Sequence, residues 1–285
     1  MKVAYLGPTG TFSEEALDVA VRGIGFERVP SATIHAAIEA VEDGEADRAF
    51  VPFENSIEGT VRPTLDALAF DTERVEIVGE LDHDVHQALI ARSDVPLASI
   101  EAVISHPQAT AQCARFLREE LPAADVRAVS STSDAVRRVS VSEQPWAALG
   151  SAAAAEPYGC VVLRRGVEDE AGNVTRFAWL APRGAEPAAE DPGAVWRTTL
   201  VFHELGEDRP GALTEALAEL SDRGINMTRI ESRPRRSGLG RYLFFIDLDG
   251  RADRGIVAEG IEALRGQAET VRVLGSYQVD GPPPL

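Results

Sequence analysis

The sequence predicts an α/β protein in two parts, and three features of the chain carry that prediction. Strand-like and helix-like apolar patterns alternate through residues 1–181, an order typical of a mostly parallel sheet. Residues 196–285 instead follow the order βαββαβ. Between them, residues 182–195 hold three prolines, two glycines and three acidic residues without an apolar period. That composition is typical of a linker.

The long part is expected to begin with a strand and a capped helix. Residues 11–14 have the Thr-x-x-Glu form of a capping box, so a helix begins there and continues to Gly23. Short apolar runs predict the strands, and apolar residues at helical spacing predict the other helices. The predicted strands are 3–6, 48–53, 75–78, 85–91, 102–104, 126–129, 147–149, 161–163 and 175–181. The other predicted helices are 34–42, 62–69, 109–121, 133–139 and 151–156.

The short part is predicted to form a ferredoxin-like module, because βαββαβ is the order of that motif. Its strands are expected at 198–204, 226–233, 241–249 and 271–278, and its helices at 211–223 and 253–267. The tail, residues 281–285, is Gly-Pro-Pro-Pro-Leu and is expected to fray.

The charge balance excludes one class of function. The chain of 285 residues has 28 basic and 46 acidic residues, a net charge of −18, and Lys2 is its only lysine. Nothing in this composition supplies the basic footprint that a general nucleic-acid binder needs. Adhesion to an anionic membrane is disfavoured for the same reason. With 44% apolar residues the chain has the composition of a globular protein.

Cysteine usage and hydropathy predict neither a metal site nor a membrane anchor. Cys113 and Cys160 are the only cysteines, and their spacing fits neither a zinc site nor a disulfide framework. The first apolar run is too short for a signal peptide, and no stretch of 18 apolar residues occurs. We therefore expect a cytoplasmic protein that contacts no membrane.

Four polar loops follow predicted strands, where ligands bind in α/β proteins. In the first loop, the backbone N–H groups and the hydroxyls of Thr11 and Ser13 could hold an anion at a helix N-terminus; an ordinary capped turn is the alternative. The second loop contains Glu54, Asn55 and Ser56, which offer donors and acceptors to a ligand. Its alternative is an Asx turn.

The other two loops offer hydrogen-bonding side chains and one cation. Ser105 can cap a helix on which Gln112 lies, and the neighbouring His106 is either a general base or a structural hydrogen-bonder. Arg176, in the fourth loop, can clamp a carboxylate with its planar fork. A surface salt bridge is the alternative interpretation for Arg176.

Together these loops resemble the motifs of the prephenate dehydratase family. The matching segments are residues 7–13, 52–56, 105–113 and 173–177, in the family's order, while residues 211–213 and 231–234 resemble the phenylalanine-binding motifs of an ACT domain. The resemblance implies an α/β fold with a two-lobe, periplasmic-binding-protein-like (type II) catalytic domain. Its lobes would be 1–78 with 161–181, and 79–160. A linker, 182–195, an ACT domain, 196–280, and a tail, 281–285, would follow.

The resemblance also implies an activity, the loss of CO2 and water from prephenate to give phenylpyruvate, with no metal or organic cofactor. Thr175 would donate a hydrogen bond to the departing hydroxyl, with Asn55 and Gln112 as orienting residues, and Glu54 would be a proton source if burial raised its pKa. The substrate-binding residues would be Thr11, Ser13, Ser56, Ser105, Arg176 and Phe177.

Feedback regulation by phenylalanine is implied by the ACT domain, with the effector bound between subunits of a homodimer or homotetramer that assembles through its ACT and catalytic domains. The implied effector-binding residues are Asp208, Pro210, Gly211, Ala212, Leu213, Asn226, Met227, Glu231, Ser232, Arg233 and Pro234. Two alternatives share these motifs. One is an arogenate dehydratase, and the other is a phenylalanine-binding protein without activity.

The distribution of charge yields a prediction about salt. Residues 1–195 carry 16 basic and 32 acidic residues, whereas residues 196–285 carry 12 and 14. A dense carboxylate surface of this halophilic type is stabilised when salt screens its self-repulsion. We therefore expect the melting temperature to rise steeply with KCl. A protein fully stable at low salt would contradict this and would favour a coding bias that replaces Lys by Arg.

Overall fold

A computed structural model describes residues 1–185, 190–191, 193–206, 209–279 and 281–285. The elements up to the linker, in chain order, are β1 Lys2–Leu6, α1 Phe12–Ala20, β2 Glu27–Ser31, α2 Ile34–Glu42, β3 Arg48–Asn55, β4 Gly59–Thr60, α3 Arg62–Asp66, β5 Val75–Asp84, β6 Ala88–Ala91, β7 Ala102–Ser105, α4 Pro107–Gln112, α5 Ala114–Glu120, β8 Asp125–Ala128, α6 Thr132–Ser140, β9 Trp146–Gly150, β10 Val161–Arg165 and β11 Val174–Pro182. After it come β12 Trp196–His203, α7 Ala212–Ser221, β13 Met227–Pro234, β14 Tyr242–Asp249, α8 Gly255–Arg265 and β15 Thr270–Gln278.

The strands form two mixed sheets, one in each lobe of the long part. The first sheet has the order β13-β14-β12-β15-β5-β11-β3-β1-β2, and β4 pairs with β3. Within it β1 is parallel to β2 and β3, whereas β11 is antiparallel to β3 and β5. The second sheet has the order β10-β6-β9-β7-β8. The chain thus crosses between the lobes twice, once after β5 and once before β11.

The lobe boundaries differ from the expected ones at both crossovers. β5 continues to Asp84, paired with β11 along its length, so residues 79–84 belong to the first lobe. Their acidic side chains interrupt the apolar run, which is why the sequence placed the end of this strand at residue 78. β10 pairs with β6, so residues 161–165 belong to the second lobe rather than the first.

Several elements also depart from prediction for local reasons. β2 contains Pro30, which masks a strand in the sequence. The helix predicted at 109–121 is two helices, because Cys113 leaves helical geometry with φ −116° and ψ 20°. The segment 151–156 forms only one 3₁₀ turn, Ala152–Ala154. Among the described residues, no helix is both long and apolar enough to span a membrane.

The two parts of the chain share one sheet and one core. β15 lies parallel to β5, and at the contact a Cβ on Gly275 would lie 2.2 Å from the carbonyl oxygen of Ile77, so only glycine permits this approach. The largest buried cluster combines Val51 and Phe53 of the long part with Phe245 of the short part. The short part is therefore packed against the long part and is not connected to it by the linker alone.

The C-terminal tail docks on the long part, and the prediction that it frays is wrong. The Nε–H of Arg48 donates to the carbonyl oxygen of Pro284 at 2.7 Å. Leu285 packs against the buried cluster that contains Val3, Phe50 and Trp179. The proline-rich composition suggested fraying. The tail packs on an apolar surface of the long part, and this contact cannot be predicted from the sequence of the tail.

Candidate active site

A cleft of about 930 Å³ lies between the two lobes. Its walls come from the starts of three helices, from the crossover residues and from the carboxyl end of β3 with the start of β11. Two hydrogen bonds join the lobes beside it: the hydroxyl of Ser151 donates to Glu15, and the hydroxyl of Tyr158 donates to the carbonyl oxygen of Thr9 at 3.0 Å. The cleft therefore has a defined shape.

The N-termini of α1, α4 and α6 face the cleft. The hydroxyl of Thr11 accepts from the N–H of Glu14 and that of Ser131 from the N–H of Asp134, so α1 and α6 begin with side-chain caps. His106 caps α4 in the same way, accepting from Gln108 N at 3.3 Å. The remaining N–H groups and the helix dipoles favour anions at these ends.

The cleft carries no formal charge from acidic, lysine or arginine side chains. None of the described residues that line it is Asp, Glu, Lys or Arg. His83, paired with Thr175 across β5 and β11, lies beside Phe177 with ring centroids 6.5 Å apart. Burial lowers the pKa of His83, so its imidazole is neutral near pH 7. An anion in this cleft therefore depends on N–H and O–H donors.

Thr175, the predicted catalytic residue, lines the cleft beside Asn55. The Nδ2 of Asn55 donates to the hydroxyl oxygen of Thr175 at 2.9 Å. The Oδ1 of Asn55 accepts from the backbone N–H groups of Ile57 and Glu58 at 3.0 and 2.9 Å, which fixes the direction of the amide. Since the Thr175 oxygen already accepts a hydrogen bond, its own hydrogen is available to a ligand.

Arg176 and Glu54 lie on the other face of the sheet, and their predicted roles in the cleft are corrected. Successive side chains of a strand point to opposite faces, so Arg176 turns away when Thr175 faces the cleft. Its guanidinium contacts the carboxylates of Glu54, of Asp247 at 2.9 Å and of Glu80 at 3.5 Å. The carboxylates that Arg176 clamps belong to this chain, and Glu54 is bound to Arg176 rather than placed as a proton donor.

Two predicted substrate-binding serines are also outside the cleft lining. The hydroxyl of Ser105 is fully buried and donates to the carbonyl oxygen of Leu149 at 2.7 Å. The hydroxyl of Ser56 donates to Gly172 O at 3.1 Å and accepts from Val174 N at 2.9 Å. Both fix loops next to the site, because polar residues at strand ends serve the backbone as readily as a ligand.

The other predicted site residues do line the cleft. Thr11, Ser13, Gln112 and Phe177 are brought there with Asn55 and Thr175. The ring of Phe177 stacks on Phe50, with centroids 4.9 Å apart, and forms an apolar wall.

Sequence reasoning missed three parts of the lining. Gln87 lies at the crossover after β5, residues 130–132 lie at the start of α6, and residues 30–32 lie at the end of β2. A polar residue inside the apolar run 85–91, and a Ser-Ser-Thr sequence between a strand and a helix, were the available signals. Both have the pattern that led to Thr11, a hydrogen-bonding residue where an apolar element ends.

The predicted effector residues fall into two groups within one chain. Gly211, Ala212 and Leu213 line a second cavity of about 260 Å³ in the short part. On β13, Arg233 instead makes a bidentate pair with Asp66 of α3, at 2.7–3.0 Å. The remaining members away from the cavity lining are Pro210, Asn226, Met227, Glu231, Ser232 and Pro234. Asp208 lies outside the described residues.

The family model that covers most of the chain and the similar sequences name the same family. The family model for prephenate dehydratase matches residues 3–185, and that for the ACT domain matches residues 204–266. A prephenate dehydratase of Mycobacterium tuberculosis (strain H37Rv) is 40% identical over 97% of this chain and 87% of its own length.

Solved structures of similar proteins also cover nearly the whole chain. The prephenate dehydratase of Arthrobacter aurescens in complex with L-Phe has a TM-score of 0.87 at 39% identity, covering 97% of this chain and 89% of that one. GqqA, described as a novel type of quorum quenching acylase, also has a TM-score of 0.87, at 31% identity, covering 98% of each chain.

The buried ion pairs predict a pH-dependent stability. Burial alone raises the pKa of Asp247, but Arg229 and Arg176 outweigh it and hold that pKa below its usual value. The stabilisation is therefore present above the unfolded pKa of about 3.9 and is lost as the pH falls through the lower folded pKa. Asp247→Asn should lower the free energy of unfolding at pH 7 by about 3–5 kcal/mol and weaken the acid dependence. Denaturant unfolding at pH 7 and pH 3 measures both.

The exposed Asp94→Asn is the matched control for Asp247→Asn, since it removes a carboxylate from the surface. Its free energy of unfolding should stay within about 0.5 kcal/mol of the parent. Equal stability of Asp247→Asn and the parent protein at pH 7 would contradict the role given to this cluster.

Proposed function

The chain belongs to the prephenate dehydratase family, and from that premise we propose that Thr175 assists the departure of the substrate hydroxyl while helix N-termini hold the substrate carboxylates. As a member of this family the protein is a hydro-lyase with a C-terminal ACT domain. Prephenate dianion and one proton give phenylpyruvate, CO2 and water. Because the ring becomes aromatic, the protein has only to orient the breaking C–C bond and to stabilise the departing oxygen.

The observation that carries this proposal is the hydrogen bond from Asn55 to Thr175. It occupies a lone pair of the Thr175 hydroxyl and leaves the O–H as a donor toward the cleft. A threonine hydroxyl is too weak an acid to transfer its proton outright. Thr175 therefore stabilises the charge that develops on the leaving oxygen, and the proton that completes the water comes from solvent.

The substrate dianion meets donors rather than cations. We propose that its carboxylates lie against the N-termini of α1 and α6, where Thr11, Ser13 and residues 130–132 line the cleft. Gln112 supplies a further amide and Phe177 an apolar wall for the ring. Arogenate carries an ammonium group, for which a carboxylate in the cleft would be the matching charged partner. Since no Asp or Glu is among the described lining residues, the cleft favours the keto acid.

Thr175 is not arranged as an acylase nucleophile. A hydroxyl nucleophile is activated by a base within hydrogen-bonding reach. Among the described residues, the hydrogen-bond partner of the Thr175 hydroxyl is the amide of Asn55, which donates to it and takes no proton from it. We therefore limit the likeness to GqqA to the fold. The geometry of the Thr175 hydroxyl favours the lyase reaction.

Substitutions of Thr175 test the donor role. Thr175→Ser keeps the hydroxyl and should retain much of the kcat for prephenate. Thr175→Val keeps the shape without the O–H and should lose about 10²–10⁴ in kcat, with a small change in KM, because a donor used mainly in the transition state is removed. The rate of phenylpyruvate formation measures both. A normal kcat for Thr175→Val in a folded protein would overturn the assignment.

Regulation by phenylalanine is the second element of the proposal. The 260 Å³ cavity in the ACT domain is lined by residues 211–213, which match the family's effector motif, and by Tyr242 and Phe244. In the proposed homodimer or homotetramer, β13 of a second subunit would complete this site. Phenylalanine then shifts the enzyme toward a less active state only through a difference in affinity between two states.

Phenylalanine titrations test this regulation. We expect phenylalanine to inhibit phenylpyruvate formation, and Leu213→Ala, which shortens an apolar contact in the cavity, to raise the inhibitory concentration about tenfold. Leu217→Ala, one turn further along α7 and outside the cavity lining, is the matched control. If phenylalanine changes neither the rate nor the KM for prephenate, the proposed regulation is wrong.

A further inference from the structure

Four side-chain amides form a hydrogen-bonded row along the cleft. Asn55 Nδ2 donates to Asn173 Oδ1 at 2.7 Å. Asn173 Nδ2 approaches Gln112 Oε1 at 3.5 Å, and Gln87 Nε2 approaches the same oxygen at 3.4 Å. All four residues line the cleft. Asn55 lies at the end of β3 in the first lobe, and Asn173 lies at the crossover before β11. Gln112 belongs to α4 of the second lobe, and Gln87 lies at the crossover after β5.

The orientation of each amide in this row, that is, which side presents its oxygen and which its NH2, is determined by the contacts of Asn55. The backbone N–H groups of Ile57 and Glu58 can only donate, so the oxygen of Asn55 faces them and its NH2 faces Asn173. An oxygen of Asn173 must therefore meet that NH2, which turns the NH2 of Asn173 toward Gln112. Gln112 presents its oxygen, and Gln87 in turn presents its NH2 to that oxygen.

The row therefore ends in an acceptor that has no donor. Gln87 is 3% exposed, and within the described residues its Oε1 has no hydrogen-bond partner. The backbone of Gln87 is held on both sides, since its N–H donates to Glu168 at 2.9 Å and its carbonyl oxygen accepts from Val167 N at 3.1 Å. Gln87 lines the cleft, so a ligand that brings a donor can satisfy this buried, unpaired oxygen.

We propose that Gln87 is a substrate-recognition residue that accepts a hydrogen bond from the ring hydroxyl of the substrate. This inference rests on the proposed function, because the prephenate dianion carries a single donor, its ring O–H, while its carboxylates and ketone only accept. The amide row thus brings a donor, the Thr175 hydroxyl held by Asn55, and an acceptor, the Oε1 of Gln87, into the same cleft. Thr175 donates to the leaving oxygen, and Gln87 accepts from the hydrogen on that oxygen.

The two contacts act at the same point of the reaction. As the C–O bond breaks and the oxygen gains its second proton, the O–H that remains becomes a stronger donor. The hydrogen bond to Gln87 therefore strengthens on the way to the transition state, which is the condition for raising the rate as well as the affinity. The row also fixes the position of the Gln87 amide relative to Asn55, the residue that orients Thr175.

Gln87→Met tests the inference, since methionine keeps the length of the side chain and removes the acceptor. We expect kcat/KM for prephenate to fall about 10- to 100-fold. The affinities of two unreactive prephenate analogues, one with the ring hydroxyl and one with hydrogen in its place, give a readout that a merely structural role would not move. The parent protein should bind the hydroxyl analogue about tenfold more tightly, and Gln87→Met should bind the two within about threefold.

Controls separate the possible failures. The exposed Gln144→Met should keep the parent's preference for the hydroxyl analogue. Equal losses of affinity for both analogues in Gln87→Met, or an unchanged kcat/KM, would overturn the role of Gln87. If the parent protein itself forms no phenylpyruvate from prephenate, the proposed function fails rather than this inference.

Discussion

A buried cluster of ion pairs between the two parts of the chain is the constraint on which the rest of the structure depends. Arg176 of β11 contacts Asp247 of β14 in the ACT domain, and Arg229 binds the same carboxylate at 2.9 Å. Arg197 of β12 binds Glu80, which lies on the long part's β5. Desolvating these groups is costly, so the pairs specify the relative position of the two domains more than they stabilise it. Losing any one partner leaves the others buried and uncompensated.

The same cluster connects the ACT domain to Arg176, which is joined to Thr175 by one peptide bond. Arg176 follows Thr175 on β11. Because successive side chains of a strand point to opposite faces, Thr175 faces the cleft and Arg176 faces the cluster. A movement of β14 against the long part therefore displaces β11 at the residue next to Thr175. The pair between Arg233 and Asp66 makes a second connection, from the predicted effector motif on β13 to α3. In the regulation that we propose, both pairs are candidates for change, and coupling through them would be reciprocal.

Local patterns in the sequence were sufficient for the fold class and for part of the site. The capping box at Thr11 and the order βαββαβ depend on neighbouring residues only, and the family resemblance supplied the two-lobe architecture. The faces of β11 could not be assigned in this way. The sequence shows that Thr175 and Arg176 oppose each other, but both faces of this strand are covered, and only the packing of the ACT domain decides which face the cleft takes. Gln87 was missed because its importance lies in an unpaired oxygen, which is a property of its surroundings.

A cleft that is lined, among the described residues, by no Asp, Glu, Lys or Arg suits an acidic protein whose proposed substrate is an anion. Residues 1–195 carry an excess of 16 acidic residues, so arginines in the cleft would pair with nearby carboxylates, as Arg176 does. Backbone N–H groups at helix ends and side-chain amides cannot be neutralised in that way. They act at hydrogen-bonding distance, where salt screens little, whereas attraction between separated charges fades beyond about 10 Å at 0.1 M salt. In the function that we propose, neutral donors with fixed directions would therefore bind the substrate dianion at hydrogen-bonding distance, where added salt weakens the contact little.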